Sequence, residues 1–434
     1  MLNLNKITCF LLFIMLFSPL LSYFTFGLLG LVSIIYYFQV IFCFYGLLFL
    51  IKRRARIRLE AIHYFFTGYV LYLITWSFYN GFFDQKGFLN STNLRYFSTI
   101  VILIIIYNTE FSFKYIERIV LVIKITVVLA GLVSLIQVID YSFLDANPIW
   151  AKGEIGDTLT GNLYLDRRGS IFGYINPNEV GLSYMPLLSV LIGILLYRRY
   201  RFYYFFLLLG GITAVLSNGR YIMIAFLIIG FQVLVFQEKK FMGIVKYVLL
   251  SAFSLFVLYQ ILIFFGYNID EWISARLLSE GSIAETTRYK AIGNFVKFFP
   301  RAPFFGIGTH MTQEIKDASS AIGSSQIHVG YLAHLVSYGI VGSFFLFGFW
   351  YLLAKKLYKT AKLTNYWGSF FAFLIYLWAQ ATLVDYSIFY YGLLFAFIFD
   401  KYFMDSFKMP LKRVEVVDLK NPKMSMGYPQ NQFL

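Results

Sequence analysis

Apolar stretches of about 18 residues or more recur along nearly the whole chain, each long enough to cross roughly 30 Å of hydrocarbon. No other feature narrows the possible folds as sharply. Inside a bilayer every backbone N–H and C=O must be paired within the protein, so only helices or closed barrels can span it. Uniformly apolar stretches of this length mean helices. Composition agrees, because 59% apolar and 14% charged residues lie outside the range of soluble globular chains. The expected fold is an all-α integral membrane protein with about twelve transmembrane helices. The spans fall near 7–22, 28–51, 60–80, 95–107, 119–139, 179–197, 202–217, 221–237, 243–266, 328–353, 366–383 and 386–403. The first stretch runs into the second without a small-residue cleavage site, and reads as a retained span. Cys9 and Cys43 fall inside predicted spans, which points to neither a disulfide nor a metal site.

Charge sets the orientation. Lys6, the Lys52-Arg53-Arg54 cluster with Arg56 and Arg58, Lys114, Arg118, Arg198, Arg199, Arg201, Lys239, Lys240 and Lys355 to Lys362 all collect on one side of the predicted bundle. Cytoplasmic loops carry such an excess of Lys and Arg. Both termini are therefore expected in the cytoplasm, and the long loops at about 140–178 and 267–327 outside it. The net charge of +15 is on this reading a topology signal and not a nucleic-acid footprint. Residues 1–403 read as one polytopic membrane domain and 404–434 as a cytoplasmic tail, polar enough to be disordered.

The loop at 267–327 interrupts this apolar pattern with a sizeable polar segment, and the chemistry is expected there. Its apolar residues from Ile283 to Phe299 recur at helical spacing. At about 100° per residue, Ile292, Phe295 and Phe299 fall within about 40° of Arg288, whereas Lys290 and Lys297 fall on the far side. Arg288 is thus placed toward the membrane or protein body. There it pairs with a carboxylate such as Glu285, snorkels to the interface, or binds an anion. In the following span His328, Tyr331, Leu335, Gly339 and Gly342 share one face, expected to point into the bundle with His328 at its mouth. His334 lies elsewhere on that helix and reads as packed. Ser217-Asn218-Gly219-Arg220 makes a tight turn before a helix. It serves the turn alone, or it offers an anion site formed by Arg220 and free backbone N–H groups. Arg167-Arg168-Gly169-Ser170 leads through Asn176-Pro177-Asn178 into another span. The arginine fork suits phosphate. Four arginines and a histidine on the outer side suggest a diphosphate-bearing lipid substrate.

No Asp-x-Asp, zinc-spaced His/Cys group, phosphate loop or Gly-x-Ser-x-Gly elbow occurs. With these residues assembled, the chain resembles the O-antigen ligase/polymerase superfamily. The resemblance rests on the segment Arg167 to Asn178, on Ser217-Asn218-Gly219-Arg220, on Arg288 followed by Pro303-Phe304-Phe305-Gly306-Ile307-Gly308, and on His328 with Gly339 and Gly342. It implies metal-independent, cofactor-free glycosyl transfer from an undecaprenyl-diphosphate-linked oligosaccharide at the outer side of the inner membrane. Arg288 and Arg220 would hold the diphosphate, His328 would activate or orient the acceptor hydroxyl, and Arg167 or Arg168 would bind phosphate or glycan. A flippase and a chain-length regulator would be its partners, beside the bilayer. The family's histidine is usually followed by Asn, Ser or Gln, and here by Val329. That departure favours the repeat-unit polymerases, which vary widely, over the ligases that transfer glycan to lipid A–core. A flippase or secondary transporter is the reading from another class, but Lys52 to Arg58 lacks the Gly/Asp signature of the major facilitator group.

Overall fold

The computed structural model describes residues 4–16, 34–53, 57–84, 91–139, 183–217, 220–236, 260, 287–307, 329–381 and 391–418. Among them the regular elements are all helical. In chain order they are α1 (Leu4–Leu16), α2 (Ile34–Arg53), α3 (Ala61–Asp84), α4 (Ser91–Tyr107), α5 (Phe113–Ile139) and α6 (Met185–Tyr197). Then follow α7 (Tyr203–Leu216), α8 (Arg220–Phe236), α9 (Thr287–Phe298), α10 (Gly330–Thr364), α11 (Gly368–Gln380) and α12 (Tyr391–Asp418). Every expected span but one meets a described helix. The exception, 243–266, lies outside the described residues apart from position 260, as do the loop at 140–178 and the ends of the 267–327 loop. Among the described residues α5 and α10 are each long and apolar enough to cross a membrane, and several shorter apolar helices accompany them. The last helix runs to Asp418, past the expected end of its span at 403.

α6 is the hub. It is apolar all round, and from Met185 to Leu196 it is buried on every face, packed by α7, α8, α11 and α12. A helix with no polar stripe has no face to give to water. Beyond it the chain turns with Arg199 in the left-handed region at φ 57°. The Tyr200 amide reaches back to the Leu195 carbonyl and the Arg199 amide to that of Leu196, which satisfies the last carbonyls of the helix. Arg198 closes the corner by pairing with Glu117 of α5 through both of its terminal nitrogens. At the periphery α2, α5, α7 and α8 expose Phe44, Leu48, Leu121, Ile125, Phe205, Leu227 and Phe231. Outward faces this apolar suit a bilayer and not water.

α10 ties the two ends of the bundle together. Near its C-terminal end Lys356 pairs with Glu60, and its ammonium lies 3.9 Å from the Tyr107 ring centroid. Tyr107 in turn donates to the Oδ2 of Asp400, which is fully buried, over 3.1 Å. This polar clamp joins α4, α10, α12 and the residue before α3. The candidate site is at the other end of α10.

Candidate functional site

α9 lies against the first turns of α10. Ala291 and Phe298 are buried with Ala333 and Val336, and Phe295, Phe299, Ile307, Val329 and Leu332 pack around them. The helix expected from the 3.6-residue period is therefore present, but its buried face is turned from the expected one. Of the expected apolar stripe, Phe295 and Phe299 pack toward α10, whereas Ile292 and Val296 are 51% and 65% exposed and meet membrane or solvent. Arg288 is in the first turn of α9. At about 100° per residue it stands about 60° from Ala291 and about 80° from Phe298, at the edge of the packed face. Lys297 is exposed, as expected.

α10 is not one continuous helix. At Gly339 the backbone takes φ 62° and ψ −169°. That region is essentially open only to glycine. The break is filled by the segment that follows α9. In an unbroken helix the Ile340 amide would donate to the Val336 carbonyl. Here the Val336 carbonyl accepts from the Ile307 amide at 2.9 Å, and the Ile340 amide donates to the Pro303 carbonyl at 2.8 Å. The Val341 amide donates to the Phe304 carbonyl at 3.0 Å, so the inserted segment supplies partners the helix gave up.

Two glycines make the insertion possible. Gly306, at φ 74°, would bring a Cβ to 2.4 Å from the Ser337 carbonyl oxygen. A Cβ on Gly339 would come to 2.4 Å from the carbonyl of Phe304. Each is pressed backbone to backbone against the other's segment. From a third element, α3, the Tyr72 hydroxyl lies 2.6 Å from the Phe305 carbonyl oxygen and 2.8 Å from that of Tyr338. The Trp76 ring stacks beside both Tyr72 and Phe305. The side chains of Phe304 and Phe305 are exposed, so the Pro303-Phe304-Phe305-Gly306 motif holds α10 chiefly through its backbone.

The same end of α10 is linked to the start of α8 through α11. Tyr331 donates from its hydroxyl to the Leu377 carbonyl at 2.6 Å, and the indole N–H of the adjacent Trp378 donates to the Tyr221 carbonyl at 3.1 Å. The C-terminal end of α11 thus bridges the first turns of α8 and α10. Arg220 is the first residue of α8, and Val329 is the N-cap of α10 with no side-chain cap bond. Neither helix, nor α9, carries an acidic residue in its first turn. The partial positive charge at such helix starts favours an anion. The start of α8, the α9 helix and the start of α10, distant in sequence, are thus brought to one end of the bundle around α10 and α11.

Of the residues expected in the site, Arg220 and Arg288 are placed by their helices. His328, Arg167 and Arg168 lie outside the described residues, His328 immediately before the described Val329. Gly339 and Gly342 are buried on α10, but Gly339 serves the break and not the close approach of two helices. Gly342 takes the Tyr72 ring against it. His334 is packed as expected, buried between Tyr338 and Trp350. Sequence reasoning missed Tyr72, Trp76 and Trp378. Among 35 tyrosines and 6 tryptophans nothing in their spacing marks them.

Residues 203–347 match a family model described as O-antigen ligase. The matched stretch begins at α7 and ends in α10 beyond the break. It takes in Arg220, Arg288, the Pro303–Gly308 motif, His328 and Gly339, and it supports the superfamily to which those motifs pointed. Arg167, Arg168 and all of α3 lie outside it. No curated protein matches the chain.

Proposed function

We propose that this chain is a membrane glycosyltransferase that joins undecaprenyl-diphosphate-linked oligosaccharide repeat units into O-antigen or capsular polysaccharide. The observation that carries the reading is the gathering of the start of α8, the α9 helix and the start of α10 at one end of the bundle, all within the stretch that matches the O-antigen ligase family. In this reading that end faces outward, both termini are cytoplasmic, and the donor enters from the outer leaflet of the inner membrane.

The acceptor sugar's hydroxyl attacks the anomeric carbon of the donor, and His328 orients that hydroxyl and takes its proton. The bond from the anomeric carbon to the diphosphate breaks, and undecaprenyl diphosphate leaves with the electron pair. Arg220 and Arg288 hold the diphosphate, assisted by the positive ends of their helices. Preorganised charge of this kind stabilises a leaving diphosphate where other enzymes use a metal. Arg167 or Arg168 contacts phosphate or glycan as the chain extends. A flippase supplies the donor and a chain-length regulator limits the product.

The family description itself favours a second reading, in which the acceptor is lipid A–core and the finished glycan is moved once. Proteoliposomes carrying the protein and the host's own lipid-linked repeat unit separate the two. The polymerase produces a ladder of longer glycans on the carrier, with free undecaprenyl diphosphate released. Transfer only when lipid A–core is added supports the ligase instead.

A further inference from the structure

We infer that Tyr72, on α3, is a positioning residue for the transfer reaction, because its hydroxyl holds the segment after α9 in the break of α10. The inference rests on the proposed function in one respect only, that Arg288 acts on the donor. Tyr72 belongs to neither the matched family stretch nor any motif.

Two carbonyl oxygens, those of Phe305 and Tyr338, converge on the Tyr72 hydroxyl at 2.6 and 2.8 Å. One belongs to the inserted segment and the other to the last residue of α10 before the break. A hydroxyl carries a single proton, which these two acceptors share. Without it, two carbonyl dipoles face each other across the junction with no donor between them, and the cheapest relief is for the inserted segment to move out. That segment leads directly from α9. The Gly306–Gly339 contact and the amide exchanges at Ile307, Ile340 and Val341 are on the same short stretch, so they loosen together. Position 288 then shifts relative to the start of α10. The Tyr72 ring has a separate role against Gly342 and Trp76, and phenylalanine keeps it.

Tyr72→Phe therefore isolates the hydroxyl. Misplacement of a catalytic group by a fraction of an ångström is costly in rate, so kcat for repeat-unit extension in proteoliposomes should fall roughly tenfold while KM changes little. In an Arg288→Lys background the same change should cost much less, since the two act through one position. A substrate-free measurement accompanies these. Spin labels at Lys297 on α9 and at the exposed Tyr64 on α3, with Cys9 and Cys43 replaced by serine, report the separation of the two helices. The distance distribution should be narrow in the parent and broad in Tyr72→Phe. An unchanged distribution overturns the inference, as does a broadened one with parental kcat. If the parent extends no glycan at all, the polymerase reading falls, and a narrow distribution in Tyr72→Phe still overturns the lock.

Discussion

Position 288 stands in the first turn of α9 at the edge of its packed face, while Lys297 on the same helix is exposed. If the Arg288 charge meets the leaving diphosphate, Arg288→Ala should lower chain extension on the order of 10²-fold or more. Arg288→Lys should restore part of it, because a point charge lacks the bidentate fork, and Lys297→Ala should leave the rate near that of the parent. Chain-length profiles at matched protein level check all three. His328→Ala should impair extension too. His334 is enclosed by Tyr338 and Trp350, so His334→Ala should lower stability without changing the rate per folded molecule. The glycines differ in the same way. Gly339→Ala places a Cβ against the Phe304 carbonyl in a backbone region closed to alanine, and should cost about 1–3 kcal/mol from the backbone alone. Gly293, within α9, has nothing within 4 Å of its missing Cβ. Gly293→Ala should be neutral or stabilising by up to about 1 kcal/mol. Thermal melting of the two purified variants beside the parent tests the contrast.

The interlock of α9, the segment after it and α10 is the element that makes a site out of separate motifs. Amides of Ile307, Ile340 and Val341 are bonded across this junction and not within one helix. They should exchange with solvent deuterium as a group, and Gly306→Ala should speed all three while leaving the amides of α11 unchanged. Independent exchange of Ile340 and Ile307 would show that the segment is not docked as a unit. The helices themselves were legible in the sequence, because long apolar runs leave few alternatives. The helical period of α9 was legible as well, but its buried face only in part, since Phe295 and Phe299 pack while Ile292 and Val296 do not. Hydrophobicity cannot separate a face that meets lipid from one that meets protein, and small Ala291 packs against α10 where larger Ile292 does not. The break at Gly339 was hidden for a related reason. A glycine in an apolar helix reads as a close-packing position, and only the partner segment around Gly306 turns it into a kink. Tyr72 had no signal at all, because its role is to two backbone carbonyls that no sequence pattern records.

At the scale of the molecule, α10 runs from the candidate site to the Glu60–Lys356–Tyr107–Asp400 clamp, so the two ends of the bundle are chemically distinct. The lysine-rich end should be cytoplasmic by the positive-inside rule. Reporter fusions after Arg58, Arg201, Lys240 and Lys362 should accordingly read cytoplasmic, and those near Asp157 and Asp317 should read outside. A cytoplasmic reading near Asp317 would separate the 267–327 loop from lipid-linked substrate on the outer leaflet and remove the basis of the site. The central claim, that the chain links repeat units, is tested most directly by the length of the glycan made by the host after deletion of the gene. The account predicts glycan carrying at most one repeat unit, with long chains restored by the parent gene and not by Arg288→Ala expressed at the same level. Long chains that persist on the undecaprenyl carrier after deletion, or repeat units that accumulate inside the cell, would contradict it.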